Sequence, residues 1–144
     1  MSVRAHRELT RLRRIAARVL RMQDAADSRV EVFFENSETM SRLKWRYLRR
    51  RQKLVDVLAF PEDHDGFPHP EASSKGKKKL GEIYLNWEAF GQDGPYLTYL
   101  LLHGVLHLLG YMHDKKSDMI VMQQLESKLC RHIGDCSMEP RARR

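Results

Sequence analysis

The sequence predicts an α/β (α+β) fold: a small mixed sheet of three or four strands, packed with four or so helices around one central buried helix. Short β-branched and aromatic runs are separated by longer stretches with helical periodicity. One stretch, 95–109, is apolar nearly all round, which is typical of a helix buried on every side. The length, 144 residues with 42% hydrophobic side chains, suffices for one domain with its own core.

The N-terminal half is predicted to alternate helices and strands. Apolar residues recur every three or four positions over 5–22, which predicts an amphipathic helix with a basic stripe opposite, formed by Arg7, Arg11, Arg14, Arg18 and Arg21. Residues 30–34 are β-branched and aromatic and predict a strand. Ser37 can cap a helix running to about residue 51. Its inward residues would be Met40, Leu43, Tyr47 and Leu48. A second strand, 54–60, would stop at Pro61.

The C-terminal half is predicted to begin with a long loop over 61–79, followed by a strand over 80–86. Pro95 suits the first turn of the central helix, and Gly110 suits its end. A last helix would run to about residue 132, capped by Asp114 or Ser117, with inward residues Met119, Met122, Leu125 and Leu129. We therefore expect a single domain over 1–133 and a basic, frayed tail over 134–144.

The charge balance predicts a polyanionic partner. Lys and Arg outnumber Asp and Glu by 26 to 19, which gives a net charge of +7 and favours nucleic acid first and an anionic membrane second. The longest apolar run is too short to cross a bilayer. Two cysteines without a C-x-x-C pair indicate no disulfide framework and a cytoplasmic location. The Arg-rich start is also compatible with an organellar transit peptide, but its helical periodicity favours an ordinary first helix.

Two basic clusters could contact single-stranded RNA. The first interleaves Trp45 and Tyr47 with the cations Arg42, Lys44, Arg46, Arg49, Arg50, Arg51 and Lys53. The second consists of Lys75, Lys77, Lys78 and Lys79. Cations that follow the backbone and aromatic rings that stack on bases are the usual means of binding single strands. The alternative is that the aromatic rings belong to the core and that the loop lysines are merely solvated.

The strongest functional signal is a group of three histidines at 103, 107 and 113. His103 and His107 lie one helical turn apart on one face, and a turn at Gly110 would let His113 supply a third nitrogen. Three imidazoles with an open fourth position are typical of catalytic zinc, one ion per chain. The alternative is three hydrogen-bonded core histidines. The remaining histidines, which we expect to be surface residues, are His6, His64, His69 and His132.

The residue after the first histidine argues against a metallopeptidase. Zinc peptidases with this spacing often carry glutamate there as the general base, whereas this chain has Gly104. A minimal peptidase therefore remains only a weak alternative.

The same residues resemble the motif of the YbeY family of bacterial rRNA maturation factors, H-G-x-L-H-L-L-G-Y-D-H. His103 to His113 match every specified position except that Met112 replaces Asp. Arg49 and the segment 55–61 resemble the family's Y-R-x-x-D-x-P-T-D-V-L-S-F-P, and 80–83 resembles its L-G-D-I strand. The departures in the former segment are Leu48, Gln52, Leu54, Val55 and Ala59. The resemblance covers about 30–130. The chain begins at the first helix, without the family's N-terminal strand, so the sheet is expected to have three or four strands.

The resemblance implies a zinc-dependent, single-strand-specific endoribonuclease that acts on ribosomal RNA and the ribosome, notably at the 3′ end of the small-subunit RNA, and in ribosome quality control. It implies His103, His107 and His113 as catalytic metal ligands and Arg49 as the residue that holds the scissile phosphate. The nucleophile could be metal-activated water or the RNA 2′-hydroxyl. Asp56 and Glu82 are either general bases or structural carboxylates, and Asp114 either orients a ligand or caps a helix. A non-catalytic ribosome-binding factor with structural zinc is the main alternative.

Overall fold

The computed structural model describes residues 1–62 and 77–141. Within them the chain forms five helices and three strands, in the order α1 Val3–Met22, β1 Ser28–Glu35, α2 Ser37–Leu48, β2 Val57–Pro61, β3 Lys78–Asn86, α3 Trp87–Phe90, α4 Gly94–Leu108 and α5 Lys116–Ile133. The predicted α+β class is confirmed. Most of the predicted loop, with His64, His69 and Lys75, lies outside the described residues.

The described strands form one mixed sheet in the order β1-β3-β2. β3 is central: it pairs in parallel with β1, where Val32 lies opposite Ile83, and antiparallel with β2, where Ala59 lies opposite Ile83. Of the three or four strands predicted from the sequence, three are found in the described ranges. Ile83 is fully buried, and it marks the point where α4 packs on the sheet.

α4 is the central helix of the core, as predicted. The Asp93 side chain accepts a hydrogen bond from the backbone of Tyr96 and Pro95 occupies the first turn, so the helix begins with a proper cap. Nine of its residues are buried, including Leu97, Leu101 and Leu106. The helix contacts α1, α5 and the sheet, which is why its sequence is apolar on every face.

α1 contributes its apolar side to the same core, with Leu12 and Val19 fully buried. The predicted basic stripe on its other side is interrupted. Arg11 is partly buried and donates hydrogen bonds to Glu8 and to the Thr98 hydroxyl on α4. Arg11 therefore has a structural role and does not belong to a solvated basic face.

α2 ends earlier than predicted, at Leu48 instead of near residue 51. Arg49 adopts a left-handed conformation with φ of 53°, and its N–H donates to the Trp45 carbonyl, so the chain turns away from the helix axis. The inward prediction holds for the buried Met40 but is wrong for Tyr47 and Leu48, which are 59% and 47% exposed. After this turn β2 starts at 57, three residues later than predicted.

The α5 predictions are partly confirmed. Met122 and Leu129 are buried and Leu125 is partly buried, as predicted, but Met119 is 43% exposed. The N-cap is Lys115, which provides no side-chain cap, so neither Asp114 nor Ser117 has the predicted role. None of the described helices is long and apolar enough to span a membrane.

The C-terminal segment differs from the prediction in two ways. Cys130 and Cys136 form a disulfide with a Cα–Cα distance of 5.3 Å, although no disulfide was expected. The segment beyond the helix is also attached rather than frayed as far as it is described. The Ser137 N–H donates to the Pro95 carbonyl, and the Arg141 N–H donates to the Asp93 carboxylate at 2.8 Å. Gly134, with φ of 76°, makes the turn that brings Cys136 back to the helix.

Candidate metal centre

The structure brings together the three histidines selected from the sequence. His103 and His107 lie on consecutive turns of α4, and their Nε2 atoms are 3.0 Å apart. The helix ends at Leu108, and Gly110 then adopts a φ of 101° that returns the chain toward the helix. His113 follows, and one nitrogen from each of the three rings lies within 4.8 Å of the other two. The three donors can therefore reach one metal ion.

A buried carboxylate from α5 orients the first histidine. Glu126 is 2% exposed, and its Oε2 lies 2.5 Å from Nδ1 of His103. Tyr99 also hydrogen-bonds Glu126, and burial followed by the charge of this carboxylate raises the pKa of Tyr99 above its ordinary range. With Nδ1 of His103 hydrogen-bonded to Glu126, Nε2 is the ring nitrogen that faces His107 and the centre.

Sequence reasoning missed Glu126 and considered Asp114 for this role. Asp114 is exposed, whereas Glu126 lies between Met122 and Leu129 on the buried side of α5. A carboxylate on an otherwise apolar helical stripe needs a partner inside the fold, and this was the signal in the sequence.

His107 is held in its neutral form. Burial, then the neighbouring His103 and His113, lower the pKa of His107 to about 4. A hydrogen bond with the backbone of Tyr111 opposes this shift but does not reverse it. A neutral imidazole has a free lone pair at neutral pH, which metal ligation requires.

The position after His103 has little room for a side chain. Gly104 is buried against β3, and a Cβ placed there would lie 3.1 Å from Cγ2 of Ile83 and 3.2 Å from its Cδ1. The glutamate that zinc peptidases often carry at this position would have to enter the helix–sheet interface. The packing therefore agrees with the prediction that this is not a peptidase centre of that type.

The three histidines lie in a cleft of about 570 Å³ between α4, β2 and the end of α2. Of the described residues, two cations line this cleft, Lys44 and Arg50. Arg49, which the family resemblance singles out, is not among the lining residues: its guanidinium carbon lies 5.5 Å from the centre of the Trp45 ring. Arg50, and not Arg49, therefore lines the cleft. The left-handed backbone at Arg49 changes the direction in which successive side chains leave the chain, which is consistent with this difference.

The two candidate carboxylates are both engaged. Asp56 lines the cleft, but one oxygen accepts from the Val57 N–H and the other from the Tyr96 hydroxyl, each at 2.8 Å. Glu82 lies on β3, outside the residues lining the cleft. Burial alone would raise the pKa of Glu82, but hydrogen bonds from Lys79 and Tyr84 lower it below its ordinary value. Both arrangements favour structural roles.

The other described histidines, the cysteines and the described part of the second basic cluster contribute no residue to the lining of the cleft. His6 and His132 are exposed, as predicted, and Cys130 is in the disulfide. Lys79 belongs to the second basic cluster, but it contacts the carboxylates of Glu31, Glu62 and Glu82 and so is not a free cation. Among the described residues the donor set of the centre is thus three imidazoles, a set that suits zinc with one tetrahedral position left over.

Comparison with known proteins agrees with this geometry. The family model described as Endoribonuclease YbeY matches residues 2–134. A relative named Endoribonuclease YbeY from Legionella pneumophila is 33% identical over 130 residues, covering 88% of this chain and 79% of the relative. One from Magnetococcus marinus is 34% identical over 106 residues, covering 66% of this chain and 71% of the relative. With a match that spans nearly the whole chain, the protein belongs to the YbeY endoribonuclease family.

Proposed function

We propose that this protein is a zinc-dependent endoribonuclease that cleaves single-stranded RNA in the cleft formed by α4, β2 and the end of α2. The observation that carries the proposal is the convergence of three imidazole nitrogens, within 4.8 Å of one another, in a cleft that Lys44 and Arg50 also line. One zinc ion would be held by His103, His107 and His113. Nickel, copper and iron also accept imidazole, and metal analysis would identify the native ion.

The chain's own residues prepare the centre for the metal. Bound zinc would supply a Lewis acid for a phosphoryl oxygen and a nucleophile at neutral pH. Glu126 fixes the His103 ring, and burial keeps His107 neutral. His113 is exposed, so the centre is open to solvent on that side, as an enzyme that must admit substrate requires.

The positive side chains give the cleft its preference for a polyanion. Arg50 and Lys44 can bind backbone phosphates, and Lys44 is held by a hydrogen bond to Gln52. The family resemblance assigns the scissile phosphate to Arg49, whose guanidinium carbon lies over the Trp45 ring. Arg50 lines the cleft itself, which supports it as the alternative. We include both arginines in the proposed site, with Arg50 favoured by the geometry.

The proposed substrate in the cell is ribosomal RNA, in particular the 3′ end of the small-subunit RNA, with a further role in ribosome quality control in the cytoplasm. The support for this is membership of the YbeY family together with the net charge of +7. Ribosome-bound RNA is a polyanion that a basic protein of this size can approach by electrostatic attraction.

The deciding experiment is cleavage of a labelled single-stranded ribosomal RNA fragment by the zinc-loaded protein and by His107→Ala. His6→Ala, which removes an exposed histidine on α1, is the matched control. We expect the parent and His6→Ala to cut and His107→Ala to be inactive with its zinc content reduced. If His107→Ala cuts as fast as the parent, the centre is not catalytic. If no variant cuts while the parent binds one zinc per chain, the metal is structural and the protein is a binding factor.

A further inference from the structure

We propose that the exposed indole of Trp45, together with the guanidinium groups of Arg49 and Arg51, is a stacking site for a nucleobase of the RNA strand that enters the cleft. This inference rests on the proposed function for the identity of the polymer. It goes beyond that function by assigning a base-binding site outside the metal centre, on residues that are not among those lining the cleft.

The exposure of Trp45 is the first observation. The indole is 41% exposed near the end of α2 and belongs to neither apolar cluster of the described residues. The chain's other tryptophan shows the contrast: Trp87 stacks on Phe34 at 4.5 Å between ring centres and packs against the core. Trp45 thus exposes a large flat ring that the fold does not use for core packing.

The second observation is the pair of arginines on this ring. The guanidinium carbon of Arg51 lies 4.6 Å from the ring centre, and that of Arg49 lies 5.5 Å away. Guanidinium planes stack on aromatic rings and on nucleobases alike, and they bind phosphate through their edges. A base can therefore add to this arrangement by stacking on the indole or on an arginine plane, while its phosphate contacts the second arginine.

The third observation is continuity with the cleft. In the sequence, Lys44 directly precedes Trp45, and Arg50 lies between Arg49 and Arg51. Both Lys44 and Arg50 line the cleft that holds the histidines. A strand whose phosphate is bound by Arg50 would therefore present a neighbouring base to Trp45. Tyr47 is less suited to this role, because its ring already packs against Phe60 at 5.4 Å between centres.

The site selects for unpaired nucleotides. A base in a duplex has both faces covered by its neighbours, whereas a single strand offers a free face to the indole. Stacking does not read base identity, since every base has an aromatic face. The site would therefore favour single strands without prescribing a sequence.

The test uses Trp45 as its own reporter. In a Trp87→Phe background Trp45 is the only tryptophan, and its fluorescence is recorded while the zinc-loaded protein is titrated with single-stranded oligodeoxythymidylate. An abasic oligomer of the same length, which has the same phosphates and no bases, is the control probe. We expect quenching by the first oligomer, and weaker binding with little quenching by the second.

Variants separate stacking from charge. Trp45→Ala should weaken binding of oligodeoxythymidylate by about 5- to 150-fold, the usual effect of losing one stacked base. Trp45→Phe should restore most of the affinity, and Arg51→Lys, which keeps the charge but loses the plane, should weaken it. With the RNA substrate, Trp45→Ala should raise KM and leave kcat nearly unchanged, because the site lies outside the centre.

Two outcomes would overturn the inference. If the abasic oligomer binds and quenches as strongly as the normal one, the cluster recognises phosphate alone. If Trp45→Ala binds the oligomer as well as the parent does, the exposed ring serves another class of partner. The proposed function is judged separately: stacking on Trp45 without RNA cleavage would refute the nuclease and leave the base site standing.

Discussion

Replacing Glu126 with Gln tests whether the buried carboxylate prepares His103 for the metal. Glu126 is 2% exposed, and its Oε2 is 2.5 Å from Nδ1 of His103, so a glutamine side chain of the same shape fits the same space. The amide keeps an acceptor for the ring but removes the negative charge that increases the electron density on the ligand nitrogen. Loss of such a partner typically lowers metal affinity 10- to 100-fold, or by about 1.4–2.8 kcal/mol.

The assay is zinc affinity measured by competition with a chromophoric chelator at pH 7.5, with the unfolding temperature of each metal-free variant recorded in parallel. Asp114→Asn is the matched control, because Asp114 follows His113 directly but is exposed, and we expect its affinity to equal that of the parent. Tyr99→Phe removes the other hydrogen bond to Glu126 and should give a smaller loss.

The reasoning would be refuted if Glu126→Gln folded normally and bound zinc as tightly as the parent. It would also be refuted if Asp114→Asn lost as much affinity as Glu126→Gln, because any nearby negative charge would then suffice. If Glu126→Gln proved too unstable to purify, Tyr99→Phe would serve as the milder test, because it removes a hydrogen bond that positions the carboxylate; zinc affinity equal to that of the parent would then contradict the reasoning.

Three other predictions follow from the geometry. The pKa of His107 is lowered to about 4, so the unfolded chain takes up a proton first as the pH falls. The metal-free protein should therefore lose stability as the pH falls from 6.5 to 4, by up to about 1.4 kcal/mol per pH unit. In His107→Ala the free energy of unfolding, measured with urea at each pH, should depend less on pH. Gly104→Ala should lower the free energy of unfolding by about 1–2 kcal/mol, because the cost of crowding Ile83, about 1–3 kcal/mol, exceeds the gain of up to about 1 kcal/mol that alanine has over glycine in a helix. Urea unfolding would measure this change, and a stabilised Gly104→Ala would contradict the packing argument. Cys136→Ser should lower the free energy of unfolding by about 2 kcal/mol through loss of a short disulfide loop, and a reductant should affect only the parent.

The sequence predicts the centre well because its signals are local. Helical spacing places His103 and His107 on one face whatever the rest of the chain does, and a glycine after the helix permits the return to His113. The apolar pattern of α4 likewise requires burial on all sides. These inferences need only the periodicity of a helix and the conformational freedom of one glycine.

The features that were mispredicted depend on contacts between distant residues. Whether Tyr47 faces inward depends on where α2 ends, and that end is set by a left-handed arginine, a conformation that sequence propensity does not indicate. The disulfide depends on the turn at Gly134, which returns Cys136 to Cys130. Glu126 is 23 residues from His103, so its hydrogen bond to the ligand follows from the packing of α5 on α4.

The division of the proposed centre between a rigid and an exposed part would let one fold hold a metal and still admit a polymer. Two of the three histidines stand on the most buried helix, where Gly104 contacts Ile83 and Glu126 hydrogen-bonds one ring. The third, His113, is exposed, so no described residue would enclose a bound ion from that side. A structural zinc site usually closes its coordination sphere with four protein ligands, and among the described residues only three converge here. The open side faces a cleft that Arg50 also lines, which is where a phosphate of a bound strand would have to lie.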